Sequence, residues 1–203
     1  MNAFSIAHFI KEYYPEYWGI SRYPVDSCAV IHRTTEQWGI FSNFYLTPIT
    51  IDGVNFSCTE EIYTLMKFRC LDPIIALYGL REQGLKMKSK PWQKTHRRDD
   101  WGQMLVDAMK FCLMIKFEQS QDFRTALNDS RGLYIVEQHA NPRTPADAWS
   151  AKLEGNERVG PNLLGRLLME LRDNEELKYN LPNDAFEFIK ILQKHALELK
   201  NRQ

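Results

Sequence analysis

The sequence contains no C-x-x-C pair and no cysteine–histidine spacing of the zinc-binding kind. Its four cysteines, Cys28, Cys58, Cys70 and Cys112, are scattered, which argues against a disulfide framework and fits free thiols in a reducing cytoplasm. No run of about 18 apolar residues exists, so no membrane-spanning helix is expected. The opening residues lack the basic start and long apolar stretch of a secretory leader. Basic and acidic side chains balance at 26 each, so no net charge draws the chain to nucleic acid or to a membrane surface. Walker and Rossmann glycine patterns are missing, and His8, His32, His139 and His195 form no ligand set. Neither a metal nor an organic cofactor is expected, and no feature specifies an oligomeric state. There is no internal repeat or low-complexity linker. With 203 residues, 44% of them hydrophobic, the chain has material for one domain with a true core and embellishments at its ends.

The periodicities point to many helices and few short strands. Ser5 to Trp18 begins as a helix that stops near Pro15. Cys28 to Ile31 reads as a strand, and Ile49 to Phe56 as two short strands around Asp52-Gly53. Thr59 is the expected N-cap of a helix running through Lys67, ended or interrupted by Asp72-Pro73. Met104 to Phe117 carries an amphipathic helical pattern. Phe123 to Asn128 suits a short helix, and Leu133 to Val136 a strand ending at Glu137. Gly160-Pro161-Asn162 opens a helix with Leu164, Leu167, Leu168 and Leu171 on one stripe. Asp184 opens a last helix with Phe188, Ile191, Leu192 and Leu199 as packing residues. The class is α+β, predominantly helical.

One helix carries a pattern with chemical content. Glu60 stands in its first turn and Lys67 follows seven residues later. Seven helical steps are roughly two turns, which leaves the two side chains about 20° apart around the axis, with Tyr63 between them. A carboxylate and an amine on one wall of a pocket can move protons and attack a sugar carbon. The plainer reading is a solvated helix face with Glu60 favoured by the helix dipole.

Four segments in order resemble the NADAR domain family. They are Gly39-Ile40-Phe41-Ser42-Asn43-Phe44-Tyr45; Ile51-Asp52-Gly53 through Glu60 to Lys67-Phe68; Asp100-Trp101 with Ala108-Met109 and Lys116-Phe117; and Val136-Glu137, Trp149 and Gly160 to Arg172. The likeness covers roughly Trp38 to Arg172. It implies a single α+β domain over residues 38–172. Outside it the resemblance implies nothing, and residues 1–37 are expected as an N-terminal extension packed on the core and 173–203 as a C-terminal helical extension. The resemblance also implies an N-glycosidase that cuts a sugar from an exocyclic amine in a phosphorylated nucleotide-like substrate. A ribosylamino-pyrimidine phosphate of the riboflavin pathway and ADP-ribose on guanine in DNA are the two implied classes. Lys67 would be the nucleophile and Glu60 the proton carrier. Asn43, Trp101, Glu137, Asp147, Trp149, Gly160 and Asn162 would bind sugar, base and phosphate. Two positions depart from the pattern. Glu61 stands where the family has histidine, and Trp149 is followed by Ser150, with Asp147 only two residues before the tryptophan.

Several of these residues also carry ordinary explanations. A helix N-terminus after Gly160 offers N–H groups to phosphate, yet proline and glycine suit an ordinary capped turn. Asn43 fits an amide ligand or an Asx turn. Trp101 and Trp149 can stack on a base or fill the core. The stretch from Lys86 to Arg98 can hold a nucleic-acid backbone or be a solvated, charged loop. A non-catalytic nucleotide-binding sensor or inhibitor is the alternative to the enzyme, and release of a base against binding alone separates the two.

Overall fold

The computed structural model describes residues 5–202. Its elements, in chain order, are α1 (Ile6–Tyr13), β1 (Ser21–Pro24), β2 (Cys28–Ile31), β3 (Ile49–Ile51), β4 (Val54–Phe56), α2 (Thr59–Leu65), α3 (Leu71–Leu77) and α4 (Glu82–Thr95), followed by α5 (Trp101–Gln119), α6 (Gln121–Asp129), β5 (Tyr134–Glu137), β6 (Lys152–Glu154), β7 (Glu157–Gly160), α7 (Leu163–Asn174) and α8 (Glu187–Lys200). Helix dominates and the strands are short, so the α+β, mostly helical class holds. No helix among the described residues is long and apolar enough to cross a membrane.

The chain forms two compact units. The first runs to Tyr45 and resumes over Ser120–Lys178. Here β1 pairs antiparallel with β7, which pairs antiparallel with β6. A second pair, β2 with β5, is parallel, with Ile31 opposite Glu137. Helix α7 lies on β5 and α6 lies on α7. The stripe of Leu164, Leu167, Leu168 and Leu171 is buried as its spacing requires, each side chain contributing about 1.5–3 kcal/mol of burial free energy. Strands β1, β6 and β7 have no sequence pattern of their own. They are three or four residues long, too short for an alternation to register.

The second unit comprises Leu46–Gln119 and Tyr179–Gln203. Strands β3 and β4 form the expected hairpin, with both turn residues, Asp52 at φ 47 and Gly53 at φ 79, in the left-handed region that a two-residue turn requires. Helix α2 packs on α5 and α8 on α3.

Several boundaries differ from the sequence expectation. Cys58, not Thr59, is the N-cap of α2, and its side chain makes no capping bond. Glu61, in the first turn, ties the helix start to its surroundings: its carboxylate accepts from the Ser57 N–H at 2.8 Å, the Ser57 hydroxyl at 3.0 Å and the Gly79 N–H at 2.6 Å. Helix α2 ends at Leu65, so Lys67 lies just past it, in a tight turn where Lys67 N–H donates to Thr64 O and Phe68 N–H to Leu65 O. Asp72 and Pro73 do not end that helix. They lie in the first turn of α3, where a proline costs no hydrogen bond. Most of the Lys86 to Arg98 stretch is helical, within α4 and with Pro91 inside it. Helix α5 is buried on nearly every face rather than along one stripe, the pattern of a central helix. Helix α8 starts at Glu187, one turn after Asp184, and Leu199 is exposed.

Candidate active site

In the second unit the environment of Lys67 is built by α2, the turn after it and the start of α5. Lys67 is 8% exposed. Its Nζ lies 4.8 Å from the ring centre of Tyr63 and 5.6 Å from that of Trp101, and the two rings meet edge to face at 5.1 Å. Tyr63 and Trp101 are both buried, so the amine is bounded by π faces instead of water, an arrangement that still attracts a cation. Burial pushes the Lys67 pKa below the usual lysine range. Glu60 opposes that shift, Arg97 adds to it and Cys112 opposes it weakly.

Glu60 carries the complementary perturbation. Burial raises its pKa, while the charges of Lys67 and Lys86 and a hydrogen bond with Thr64 hold it down. Thr64 lies one helical turn further along α2, the spacing at which side chains meet. Desolvation thus weakens the charged form of both the acid and the amine. A protonated carboxyl beside a neutral amine is the pair that acid–base and nucleophilic chemistry use. Among the described residues no cluster of three or more histidine, cysteine, aspartate or glutamate side chains has the arrangement of a metal site.

The remaining candidates belong to the first unit, and all but Asn43 lie around the end of β5 and the start of α7. Asn162 is the N-cap of α7, in the left-handed conformation at φ 49. Its side chain is fully buried and both ends of the amide are engaged. Nδ2 donates to Ile135 O at 2.9 Å, and Oδ1 accepts the Glu137 N–H at 3.0 Å. The amide therefore ties α7 to β5. The first N–H groups of α7 are engaged too: Asn162 N–H donates to Ser150 O, Leu163 N–H to Ala148 O and Leu164 N–H to Trp149 O. These donors serve the loop before β6.

Gly160 and Gly165 permit two close backbone approaches. A Cβ on Gly160 would lie 2.5 Å from Ser150 O, and one on Gly165 would lie 2.0 Å from Ile135 O. Asp147 is exposed and organises its own loop, with Oδ1 accepting the Trp149 N–H at 3.0 Å and the Ser150 hydroxyl at 2.7 Å. His139 joins this group, its Nδ1 lying 3.0 Å from the Ser150 hydroxyl and its Nε2 2.9 Å from that of Thr144. The serine that departs from the family pattern thus has a partner on each side. Trp149 and Glu137 are half-buried, Asn43 is buried, and Trp101, 3% exposed, is a wall of the lysine environment.

The structure brings Glu60, Tyr63, Lys67 and Trp101 together in one unit, while Asn43, Glu137, Asp147, Trp149, Gly160 and Asn162 belong to the other. In sequence Arg98 is only the end of a charge run. Its backbone N–H donates to the Lys67 carbonyl at 2.9 Å, and its side chain is fully buried. A doublet of arginines closing a basic stretch, followed at once by two aspartates, was the signal for it.

A family model of the NADAR domain matches residues 31–176. The chain is 30% identical over 158 residues to the N-glycosidase YbiA of Escherichia coli, covering 73% of this chain and 88% of that protein. It is 28% identical over 162 residues to a riboflavin biosynthesis protein of Vibrio vulnificus, covering 78% of this chain and 41% of that protein. The NMR structure of E. coli YbiA superposes with a TM-score of 0.58 at 26% identity, covering 78% of this chain and 92% of that one.

Proposed function

Since the chain belongs to the NADAR domain family, we propose that it is an N-glycosidase that hydrolyses a sugar–amine bond in a phosphorylated nucleotide-like substrate, with Lys67 as nucleophile and Glu60 as proton carrier. The observation that carries the reading is the desolvated lysine between Tyr63 and Trp101, its pKa lowered by burial, in electrostatic contact with a carboxyl whose pKa burial raises. Residues 38–172 are the proposed catalytic part, with 1–37 and 173–203 as extensions of it.

The chemistry follows from the two groups. A glycosylamine opens its sugar ring when the ring oxygen takes a proton, leaving an iminium at the anomeric carbon. The neutral Lys67 amine adds to that carbon. The exocyclic nitrogen then takes a proton and leaves as a free amine on the base, and the sugar remains on Nζ as a Schiff base. Water adds to the same carbon, Nζ leaves, and the released sugar closes to its hemiacetal. The net change is one water consumed, one base and one sugar released. Glu60, protonated more readily than an ordinary glutamate, supplies the proton to the departing groups and recovers one from the water.

The names of the relatives support a nucleotide-like substrate. The riboflavin biosynthesis relative favours a ribosylamino-pyrimidine phosphate. The exposed lysines of α4, Lys86, Lys88, Lys90 and Lys94, would favour ADP-ribosylated guanine in DNA by neutralising phosphates. The test is incubation with both substrates and chromatography of the freed bases. Wild-type protein should release one of them and Lys67→Ala neither. Tight binding by wild-type protein with no base released would make the protein a nucleotide sensor and sink the enzyme reading.

A further inference from the structure

We propose that Asp184, from the C-terminal segment outside the family match, is a positioning residue for Lys67 that acts through Arg98 and Arg69. The inference rests on the catalytic reading of Lys67 given above. The NADAR match ends at residue 176, so this acid comes from beyond the part of the chain that defines the family.

The turn that carries Lys67 has little helical support, because α2 stops at Leu65. It is gripped on both sides instead. The Arg98 N–H donates to the Lys67 carbonyl at 2.9 Å. The Arg98 guanidinium, fully buried, forks onto Asp100, with Nε to Oδ1 at 2.6 Å and Nη2 to Oδ2 at 2.9 Å, and reaches Asp184 Oδ1 from Nη2 at 2.7 Å. Arg69, two residues past Lys67, bonds the same two acids, with Nη2 to Asp100 Oδ2 at 2.9 Å and Nε to Asp184 Oδ2 at 2.7 Å. Two guanidiniums and two carboxylates thus alternate in a closed ring with no net charge. Such forked, charge-assisted pairs hold direction as well as distance.

The ring also fixes the other wall of the lysine environment. The Trp101 N–H donates to Arg98 O at 3.2 Å, which sets the start of α5 and hence the indole beside Nζ. Arg98 Nη1 is buried and has no hydrogen-bond partner among the described residues, so this guanidinium already carries an unpaired donor there. Losing one acid would leave it with another, and a buried charge missing a partner moves or admits water. Asp184 is held in place by its own segment. Phe186 and Tyr179 meet the ring of Phe111 edge to face at 4.8 and 5.7 Å, and Phe188 meets Phe56 at 5.8 Å. The terminal extension therefore supplies one corner of the frame that aims the nucleophile.

The groups that bear electrostatically on Lys67 are Glu60 on α2, Arg97 before α5 and Cys112 on α5. None of them is changed by altering Asp184, so a change in Lys67 reports its placement and hydration. The experiment compares wild type with Asp184→Asn, Asp184→Ala, Asp184→Glu and Lys67→Ala, with Lys190→Ala on the exposed side of α8 as control. Each is checked for folding by circular dichroism. Base release is followed for kcat and KM. The pH dependence of Lys67 labelling by acetic anhydride is read by peptide mass, which requires no turnover.

We expect Asp184→Asn and Asp184→Ala to lower kcat on the order of tenfold or more, the scale on which a misplaced reacting group loses rate, with KM within about twofold. The Lys67 labelling midpoint should move up toward that of ordinary lysines as water reaches it. Asp184→Glu should recover part of both, and Lys190→Ala should match wild type. If Asp184→Ala fails to fold, the isosteric Asp184→Asn gives the same two readouts. A folded Asp184→Asn protein with unchanged kcat and labelling midpoint overturns the positioning role while an inactive Lys67→Ala protein leaves the catalytic reading intact. Full activity in Lys67→Ala overturns the catalytic reading, whatever the Asp184 variants do.

Discussion

Asn162 gives the sharpest separation between a structural part and a ligand contact. Its amide is buried and bonds the backbone of β5 at two points, donating to Ile135 O and accepting from Glu137 N–H. In Asn162→Gly both backbone groups lose their side-chain partner, at about 1–3 kcal/mol for each, or roughly 2–6 kcal/mol together. Glycine keeps the left-handed backbone at φ 49 without strain. Alanine does not, and Asn162→Ala should cost about 1–2 kcal/mol more. Asn162→Asp retains the acceptor for Glu137 but sets an oxygen against Ile135 O, so it should resemble glycine or be worse. Urea unfolding followed by tryptophan fluorescence measures all three. If the glycine and alanine variants unfold within about 0.5 kcal/mol of wild type, the amide is not a strut and the hydrogen-bond reasoning fails. Loss of substrate affinity at wild-type stability would instead support the ligand role that the sequence suggested.

Other tests follow from the same structure. Glu61→Ala removes the acceptor for two backbone N–H groups and a hydroxyl, and should lower stability by about 2–4 kcal/mol in urea unfolding. Because burial lowers the Lys67 pKa and Glu60 partly restores it, the rate should rise with pH through an acid limb below the ordinary lysine range. Glu60→Gln should lower kcat and move that limb to lower pH, and a limb that moves up contradicts the pairing. Lys116 is buried and its pKa falls to about 7 from the usual 10.5. The unfolded chain then binds the extra proton between those two values, so this residue makes stability rise from pH 7 toward 10.5. Lys116→Met should stabilise the protein most at and below pH 7 and remove that part of the slope, as urea titrations across pH would show.

The parts legible in the sequence are those with a local physical cause. Asp52-Gly53 between Ile49-Thr50-Ile51 and Val54-Asn55-Phe56 gave the hairpin, and the leucine spacing from Leu164 to Leu171 gave the buried face of α7. The family resemblance over Trp38 to Arg172 agrees with the match over residues 31–176. Other features depended on partners distant in the chain. Nothing near Asn162 in sequence says that its amide reaches Ile135 and Glu137. Glu61 looked like a departure from a motif until Gly79, 18 residues away, supplied its partner. The end of α2 before Lys67 was hidden because Met66, Lys67 and Phe68 continue an apolar helical pattern. Arg98 was hidden because a buried guanidinium and a solvated one share the same letter, and only the acids at 100 and 184 distinguish them.

The central claim is that the Lys67 amine bonds to the sugar's anomeric carbon. Sodium borohydride added during turnover, followed by digestion and peptide mass analysis, tests it directly. The reduced sugar should be found on the peptide containing Lys67, and the adduct should vanish in Lys67→Ala. Rapid base release by wild-type protein with no adduct on that peptide, or undiminished release by Lys67→Ala, would contradict it.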